Sequence, residues 1–250
     1  MIVFAHLSDT HLDGGRRAAE RTRATMEHLN ALPFDLDAVL VTGDIVDRGL
    51  PAEYDEARKA LASRHPLLIL PGNHDVRGPF REGLLDEPDD DAPINRAHRT
   101  ERAVYALCDS SIPGRDDGLI ADETLTWLTG VLDETPSSVP VFVAFHHPPV
   151  ELGIPTIDAI RQFGADRLAA VVADRPNVAA LLCGHAHTPA ATTFAGKPLI
   201  VAPGVVSTVN LPWERADEDA PFVAADIPPA LAFHVLDDAG RLTTHFRTVV

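Results

Sequence analysis

The chain has little sulfur: two cysteines, Cys108 and Cys183, in 250 residues. Two isolated cysteines give no metal-ligand spacing and no disulfide framework. Without a thiolate cluster, soft-metal and iron–sulfur chemistry are set aside, and free thiols fit a reducing cytoplasm. Basic residues are also scarce. Lys and Arg number 21 against 37 Asp and Glu, for a net charge of −16 and a pI near 5.0. That balance excludes nucleic acid or an anionic membrane as a bulk electrostatic partner. A phosphate substrate stays open, because a bound metal inverts the field locally. No apolar run approaches the ~20 residues of a membrane-spanning helix, and Met1–His6 lacks the basic start of a secretory leader. There is no internal repeat, low-complexity tract, Gly-rich nucleotide loop or linker. One domain over residues 1–250 is expected, with an insertion at about 77–117 and a β-rich part from about 190.

What is present is a core-forming chain, 45% hydrophobic, with regular alternation. Ile2–Leu7, Ala38–Val41 and Leu67–Leu70 read as strands. Between them, Arg16–Leu32 and a segment opened by Pro51 read as helices, the second burying Tyr54, Ala57 and Leu61. Strand–helix alternation predicts a largely parallel sheet, with ligands at the carboxyl ends of its strands. Residues 77–117 are charged and broken by Pro and Gly, and the run from Asp86 to Asp91 reads as a solvated loop. Ala103–Leu107 reads as a strand returning to the core. Asp122 is placed to cap a helix that buries Leu125, Leu128 and Leu132. Further strands are expected at Val141–Phe145, Val178–Cys183, Thr192–Phe194, Leu199–Val201, Leu231–Leu236 and Leu242–Val249, with a helix within Asp158–Asp174.

The strand ends carry the chemistry. Asp9 and His11 follow the first, two residues apart, and in an extended chain they would point the same way. Asp44 follows the second. Asn73, His74 and Asp75 follow the third, after the break at Pro71-Gly72. His146 follows a fourth, and His185 and His187 a fifth. A lone histidine after a strand is ordinarily a core or capping residue, and His6, His28, His65, His98, His234 and His245 are read that way. Five such elements in order are another matter. Asp9, His11, Asp44, Asn73, His146, His185 and His187 are seven ligand-type residues, too many for one tetrahedral site and suited to two ions sharing a carboxylate. The mixture of oxygen and nitrogen donors admits Fe, Mn, Zn or Co. His74 is a candidate proton donor and Asp75 its candidate orienting partner.

The motifs Asp9-x-His11, Gly43-Asp44, Gly72-Asn73-His74-Asp75, His146-x-Pro148 and Gly184-His185-x-His187 resemble those of the calcineurin-like metallophosphoesterase superfamily. The resemblance implies an α/β fold of two mixed β-sheets packed as a sandwich and flanked by helices, four layers in all, with the site at one edge. It further implies that Asp9, His11 and His187 hold one ion, that Asn73, His146 and His185 hold the other, and that Asp44 bridges. His74 would face the substrate phosphate, with Asp75 as its partner. A closer resemblance, to class III cyclic-nucleotide phosphodiesterases and bacterial glycerophosphodiesterase-like enzymes, rests on four stretches: His6 to His11, Gly43 to Gly49, Asp109 to Gly114 and His146 to Pro149. It implies hydrolysis of cyclic nucleotides or related small phosphodiesters by a hydroxide activated at a dinuclear centre, in an enzyme that can form a homodimer. Gly43–Gly49 also looks like the corresponding stretch of serine/threonine protein phosphatases. Those usually carry Arg and Glu where Pro71 and Asp75 stand here. The alternatives are therefore a phosphomonoesterase or protein phosphatase on the same site, or, more distantly, a metal-binding scaffold without catalysis.

Overall fold

A computed structural model describes residues 1–217 and 219–250. In chain order it begins with strand β1 (Ile2–Leu7), helix α1 (Arg16–Asn30), β2 (Ala38–Thr42), α2 (Pro51–Ala60), β3 (Leu67–Leu70) and the single turn α3 (Arg77–Phe80). Strands β4 (Arg96–Arg99), β5 (Val104–Leu107) and β6 (Gly118–Leu119) lead to α4 (Asp122–Glu134) and β7 (Val141–Ala144). The turn α5 (Pro155–Asp158), β8 (Gln162–Phe163), α6 (Ala165–Val172), β9 (Val178–Cys183), β10 (Ala190–Phe194) and β11 (Lys197–Val201) follow. Strands β12 (Thr208–Val209), β13 (Val223–Ala224), β14 (Ala230–Leu236) and β15 (Leu242–Thr248) complete the series.

Two sheets dominate. One has the order β15-β14-β1-β2-β3, the other β10-β11-β9-β7-β5-β4. The expected parallel arrangement holds in the middle of each: β1 pairs in parallel with β2 and β2 with β3, and β5, β7, β9 and β11 form a parallel run. Antiparallel partners close the remaining edges, through the β14–β15 hairpin on one sheet and β10 and β4 on the other. Both sheets are therefore mixed.

The alternation of side chains along each strand sets the layers. From β1, Ile2 and Phe4 face inward with Ala38, Leu40, Leu68 and Leu70, and they meet Tyr105, Leu107, Phe142, Ala144, Ala180 and Leu182 of the opposing sheet. Ala5, Leu7, Val39 and Val41 face outward onto Ala18, Met26 and Leu29 of α1 and Tyr54 and Ala57 of α2. On the far side, Val104, Val141, Val143 and Leu181 are covered by Leu125, Leu128 and Leu132 of α4 and Leu168 and Val172 of α6. The result is a helix–sheet–sheet–helix sandwich. Among the described residues no helix is long and apolar enough to cross a membrane.

One local reading needs correction, and two gain detail. Asp122 does not cap α4: Ala121 holds the cap position without a side-chain bond, and Asp122 lies in the first turn, paired with Arg167. The helix expected within Asp158–Asp174 is α6, which begins after Gly164 takes a left-handed φ of 62°. Ahead of that glycine β8 pairs with β6. Within residues 77–117 the strand expected at Ala103–Leu107 is β5, and the run from Asp86 to Asp91 is an irregular, mostly exposed segment as expected. Arg77 donates to the buried Asp109 at 2.9 Å, and β4 and β5 lie inside the stretch. Within the acidic run, Asp86 pairs with Arg58, while Glu87 pairs with Arg81 and Arg96.

The sandwich interior contains one polar thread. His6 Nε2 lies 3.0 Å from Thr42 Oγ1, His6 Nδ1 3.2 Å from His234 Nε2, and His234 Nδ1 2.9 Å from Thr244 Oγ1. The thread crosses four adjacent strands and satisfies two buried imidazoles. Burial pushes His234 down to about 3 from its ordinary 6.5. Burial and the neighbouring His234 hold His6 well below 6.5. Both rings are thus neutral in the folded state. Their contribution to stability is complete above pH 6.5 and is lost as the pH falls below it, because the unfolded chain then binds protons that the folded one refuses. The loss approaches ~1.4 kcal/mol per pH unit per ring below the unfolded value. Urea unfolding of the metal-free protein between pH 7.5 and 5 is expected to show a steep fall in midpoint, and His234→Leu a shallower one. Equal slopes would contradict this assignment.

Candidate metal centre

Residues from the carboxyl ends of β1, β2, β3, β7 and β9 converge at one rim of the sandwich. His11, Asp44, Asn73, His74, His185 and His187 line a single cleft of ≈ 370 Å³. Asp9 and His146 lie buried beneath it.

Close approach of strand ends builds the site. After Leu7 the chain stays bonded to its neighbour, with Asp9 N donating to Gly43 O at 3.1 Å, His11 N to Asp44 O at 3.0 Å and Leu12 N to Ile45 O at 3.0 Å. Asp9 and His11 do not continue the strand as expected. Their φ values are 56° and 42°, and Asp44, His185 and His187 are also left-handed, at 48°, 68° and 55°. Non-glycine residues pay for that conformation, and here it turns carboxylate and imidazole groups into the cleft. The glycines beside them leave room. A Cβ on Gly72 would lie 2.1 Å from Asp44 Oδ1, and one on Gly184 would lie 1.9 Å from Ser8 Oγ.

The side chains fall into two groups that meet at Asp44. In one, His11 Nε2 lies 3.2 Å from His187 Nε2, and His187 Nε2 lies 3.6 Å from Asp9 Oδ1. In the other, His185 Nδ1 lies 3.1 Å from Asn73 Oδ1 and 3.3 Å from His146 Nε2. Asp44 Oδ2 is 3.5 Å from His11 Nε2 and 3.3 Å from His146 Nε2, so it faces both. All seven predicted ligand residues are thus brought together.

The outward nitrogens set the inward ones. His146 Nδ1 donates to Thr42 O at 2.6 Å, and a carbonyl can only accept. His11 Nδ1 donates to Asp47 Oδ1 at 3.2 Å. In each neutral ring the inward Nε2 therefore presents a lone pair. Lone pairs directed at one another and at a carboxylate require positive charge among them. Without a metal that charge is a proton: burial pulls His146 down, but Asp44 and Asp9 outweigh it and raise it to about 9. Burial pushes Asp44 up, and His146, His11 and His74 together hold it well below the carboxylate range. Burial, with His146 beside it, takes His185 down to about 3. Asp9 Oδ1 and His185 Nε2 are buried with no hydrogen-bond partner among the described residues. An orphaned carboxylate oxygen next to inward-facing imidazoles and an amide oxygen fits divalent or trivalent cations.

His147 sits within reach of the same cluster, but both its nitrogens are committed. Ser110 Oγ receives the backbone N–H groups of His146 and His147 at 3.2 and 3.3 Å and donates to His147 Nδ1 at 2.9 Å. His147 Nε2 then donates to Asp116 O at 3.2 Å.

His74 and Asp75 do not pair. His74 N donates to Asp44 Oδ1 at 2.9 Å, and its ring Nδ1 donates to Asp47 O at 2.7 Å. The Asp47 carboxylate lies 3.8 Å from the same nitrogen. Asp75 points away, accepting from Gly72 N at 2.9 Å, Ile45 N at 3.1 Å and Tyr54 OH at 3.2 Å. Burial and the nearby Asp44 raise it to about 6. The expected orienting carboxylate is thus a brace for the turn, and the residue beside both His74 and His11 is Asp47. Asp47 belongs to the quoted stretch Gly43–Gly49, so its presence was visible and its partner was not.

Removing the Tyr54 hydroxyl should loosen this turn. It donates to Asp75 and receives Val76 N at 2.8 Å, so Tyr54→Phe leaves a buried carboxylate and an N–H each one bond short. Chemical denaturation should show a loss of ~1–3 kcal/mol. A change within error would mean that the hydroxyl does not brace the turn.

A sequence model described as calcineurin-like phosphoesterase matches residues 2–189. The chain is 34% identical over 220 residues to a glycerophosphodiester phosphodiesterase of Enterobacter lignolyticus, covering 83% of this chain and 79% of that protein. It is 34% identical over 221 residues to a cAMP/cGMP dual specificity phosphodiesterase of Mycobacterium tuberculosis, covering 84% and 69%. Among solved structures, a dimetal phosphatase from Danio rerio superposes with a TM-score of 0.73 at 16% identity, over 100% of this chain and 96% of that one. At that identity the likeness concerns the fold.

Proposed function

Since the chain belongs to the calcineurin-like phosphoesterase family, we propose that it is a metal-dependent phosphodiesterase that hydrolyses cyclic nucleotides or related small phosphodiesters. The observation that carries this reading is the meeting of seven donors in two groups across Asp44, with His74 on the open side of the cleft. The names of its relatives, a glycerophosphodiester phosphodiesterase and cyclic-nucleotide phosphodiesterases, support a diester over a monoester.

We assign Asp9, His11 and His187 to one ion, Asn73, His146 and His185 to a second, and Asp44 to both. The pair is drawn from Fe, Mn, Zn or Co. Bound there, the metals supply an activated water and offset phosphate charge. The rest falls to the protein. Asp44 Oδ1 holds the His74 backbone, fixing the ring against the donor groups. Asp47 O accepts a hydrogen bond from Nδ1–H, which leaves Nε2 to carry the mobile proton. As the P–O bond to the alcohol breaks and the bond from water forms, protonated His74 gives its Nε2 proton to the departing oxygen. We also read residues 1–250 as one catalytic unit, since the first and last strands share a sheet. The free, buried Cys108 and Cys183 support a reducing, cytoplasmic setting.

Asp44→Asn should lower metal content at both positions. His74→Ala should keep the metals and lose ~10²–10⁴-fold in kcat. Metal analysis beside turnover separates the two variants, and metal loss from His74→Ala would overturn its role. The metal-loaded enzyme should prefer bis-p-nitrophenyl phosphate to p-nitrophenyl phosphate and should cleave 3′,5′-cAMP, 2′,3′-cAMP or glycerophosphodiesters. Equal or better use of the monoester would refute the phosphodiesterase reading.

A further inference from the structure

The cleft above the candidate metal centre has an uneven lining. One side is the donor set. The other is an apolar wall of Ile157, Ile160, Val209, Phe222 and Val223, interrupted among the described residues by one carboxylate, Asp116, and by no Arg or Lys. Asp116 is exposed, and its side chain makes no hydrogen bond or ion pair among the described residues. The nearest cation in sequence is already used: Arg115 donates to both Asp117 oxygens, each at 2.7 Å. Arg161 is drawn away as well, stacked over Phe163 at 4.8 Å and bonded to Asp158 O at 2.7 Å.

The backbone of Asp116 is held in place. Its carbonyl accepts from the buried His147, whose other nitrogen accepts from Ser110 Oγ, and that oxygen also receives the His146 N–H. Leu119 N donates to Ser110 O at 2.9 Å and closes the base of the loop. A fixed loop thus carries an uncompensated negative charge to the mouth of the cleft.

We propose that Asp116 is a specificity-determining residue that selects against negative charge on the substrate. The substrate class it implies is a singly charged phosphodiester whose alcohol portion is uncharged or cationic and lies along the apolar wall. Phosphomonoester dianions and esters carrying a second acidic group are disfavoured. This rests on the phosphodiesterase reading and adds the sign of charge that the cleft accepts. The argument is Coulombic. With no guanidinium or ammonium in the lining, only the metals offset phosphate charge, and each further negative charge on the substrate meets Asp116 at partly screened range.

The test is a charge series on the metal-loaded enzyme: p-nitrophenyl phosphate as dianion, bis-p-nitrophenyl phosphate as monoanion and p-nitrophenylphosphorylcholine as zwitterion. Asp116→Asn should raise kcat/KM by ~10-fold for the dianion, by ~3-fold for the monoanion and by less than ~2-fold for the zwitterion, with the gradient flattening at high salt. Asp116→Lys should steepen the same order. Calorimetric binding of inorganic phosphate, which needs no turnover, should tighten by ~10-fold in Asp116→Asn. Equal changes across the three esters, or unchanged phosphate binding, would overturn the proposal. The wild-type preference is read separately: a monoester preferred over the diester would sink the phosphodiesterase reading while leaving the charge gradient to be judged by itself.

Discussion

The structure depends on the carboxylate of Asp44. Its Oδ2 faces imidazole nitrogens from β1 and β7, one from each sheet. Its Oδ1 accepts the backbone N–H of His74 beyond β3. One side chain thus ties three strand ends across the rim of a two-sheet sandwich. Two buried atoms near it, Asp9 Oδ1 and His185 Nε2, have no hydrogen-bond partner among the described residues. In a metal-free protein the positive charge this arrangement demands is met by a proton on His146. A cation satisfies the same need with more ligands, so metal and proton compete for one lone pair.

Placing such a group has a local cost. Asp9, His11, Asp44, His185 and His187 all take left-handed backbone, at about 1–2 kcal/mol each for an L-residue. The surrounding structure holds them there. Backbone bonds continue between the segments after β1 and β2 beyond the strands themselves, and Gly72 and Gly184 allow the segments to close to contact. Gly72 and Gly184, which precede Asn73 and His185, are thus part of the site geometry: a methyl group there would collide with Asp44 or Ser8.

Much of this was legible in the sequence, and the failures share a cause. The strands, the helices α1 and α2 and the convergence of the seven candidate ligand residues follow from apolar runs ending in polar residues. Side-chain direction after a strand end does not. Reading Asp9 and His11 as extended assumed that the strand continued, and the chain instead turns at both. Pairing His74 with Asp75 assumed that neighbours share a face, whereas successive residues in open chain point apart, and Asp75 turns into the backbone of its own loop. The partner of His74 came from Asp47, 27 residues earlier: the parallel pairing of β2 with β3 was expected, but not which side chains beyond the two strand ends would meet. Asp122 failed similarly: a residue placed to cap α4 lies one position inside it and finds Arg167 instead.

The same long-range logic joins chemistry to selection. Residues 77–117 read as an exposed, charged stretch, yet their end is wired to the ligand set through two buried side chains. Ser110 receives the backbone of His146, His147 bonds Ser110, and the carbonyl of Asp116 receives His147. Both His147 nitrogens are thereby committed, so a histidine adjacent to a ligand serves as the strut between the centre and its rim. A net charge of −16 does not by itself predict how a cleft treats anions, because cations held by the donor set would dominate at its floor. At the rim the balance reverses: Arg115 and Arg161 are both engaged elsewhere, and on the apolar side of the cleft the charge is that of Asp116. Attraction at the floor and repulsion at the mouth act on the same substrate. Together they favour one negative charge delivered to the metals and none along the wall.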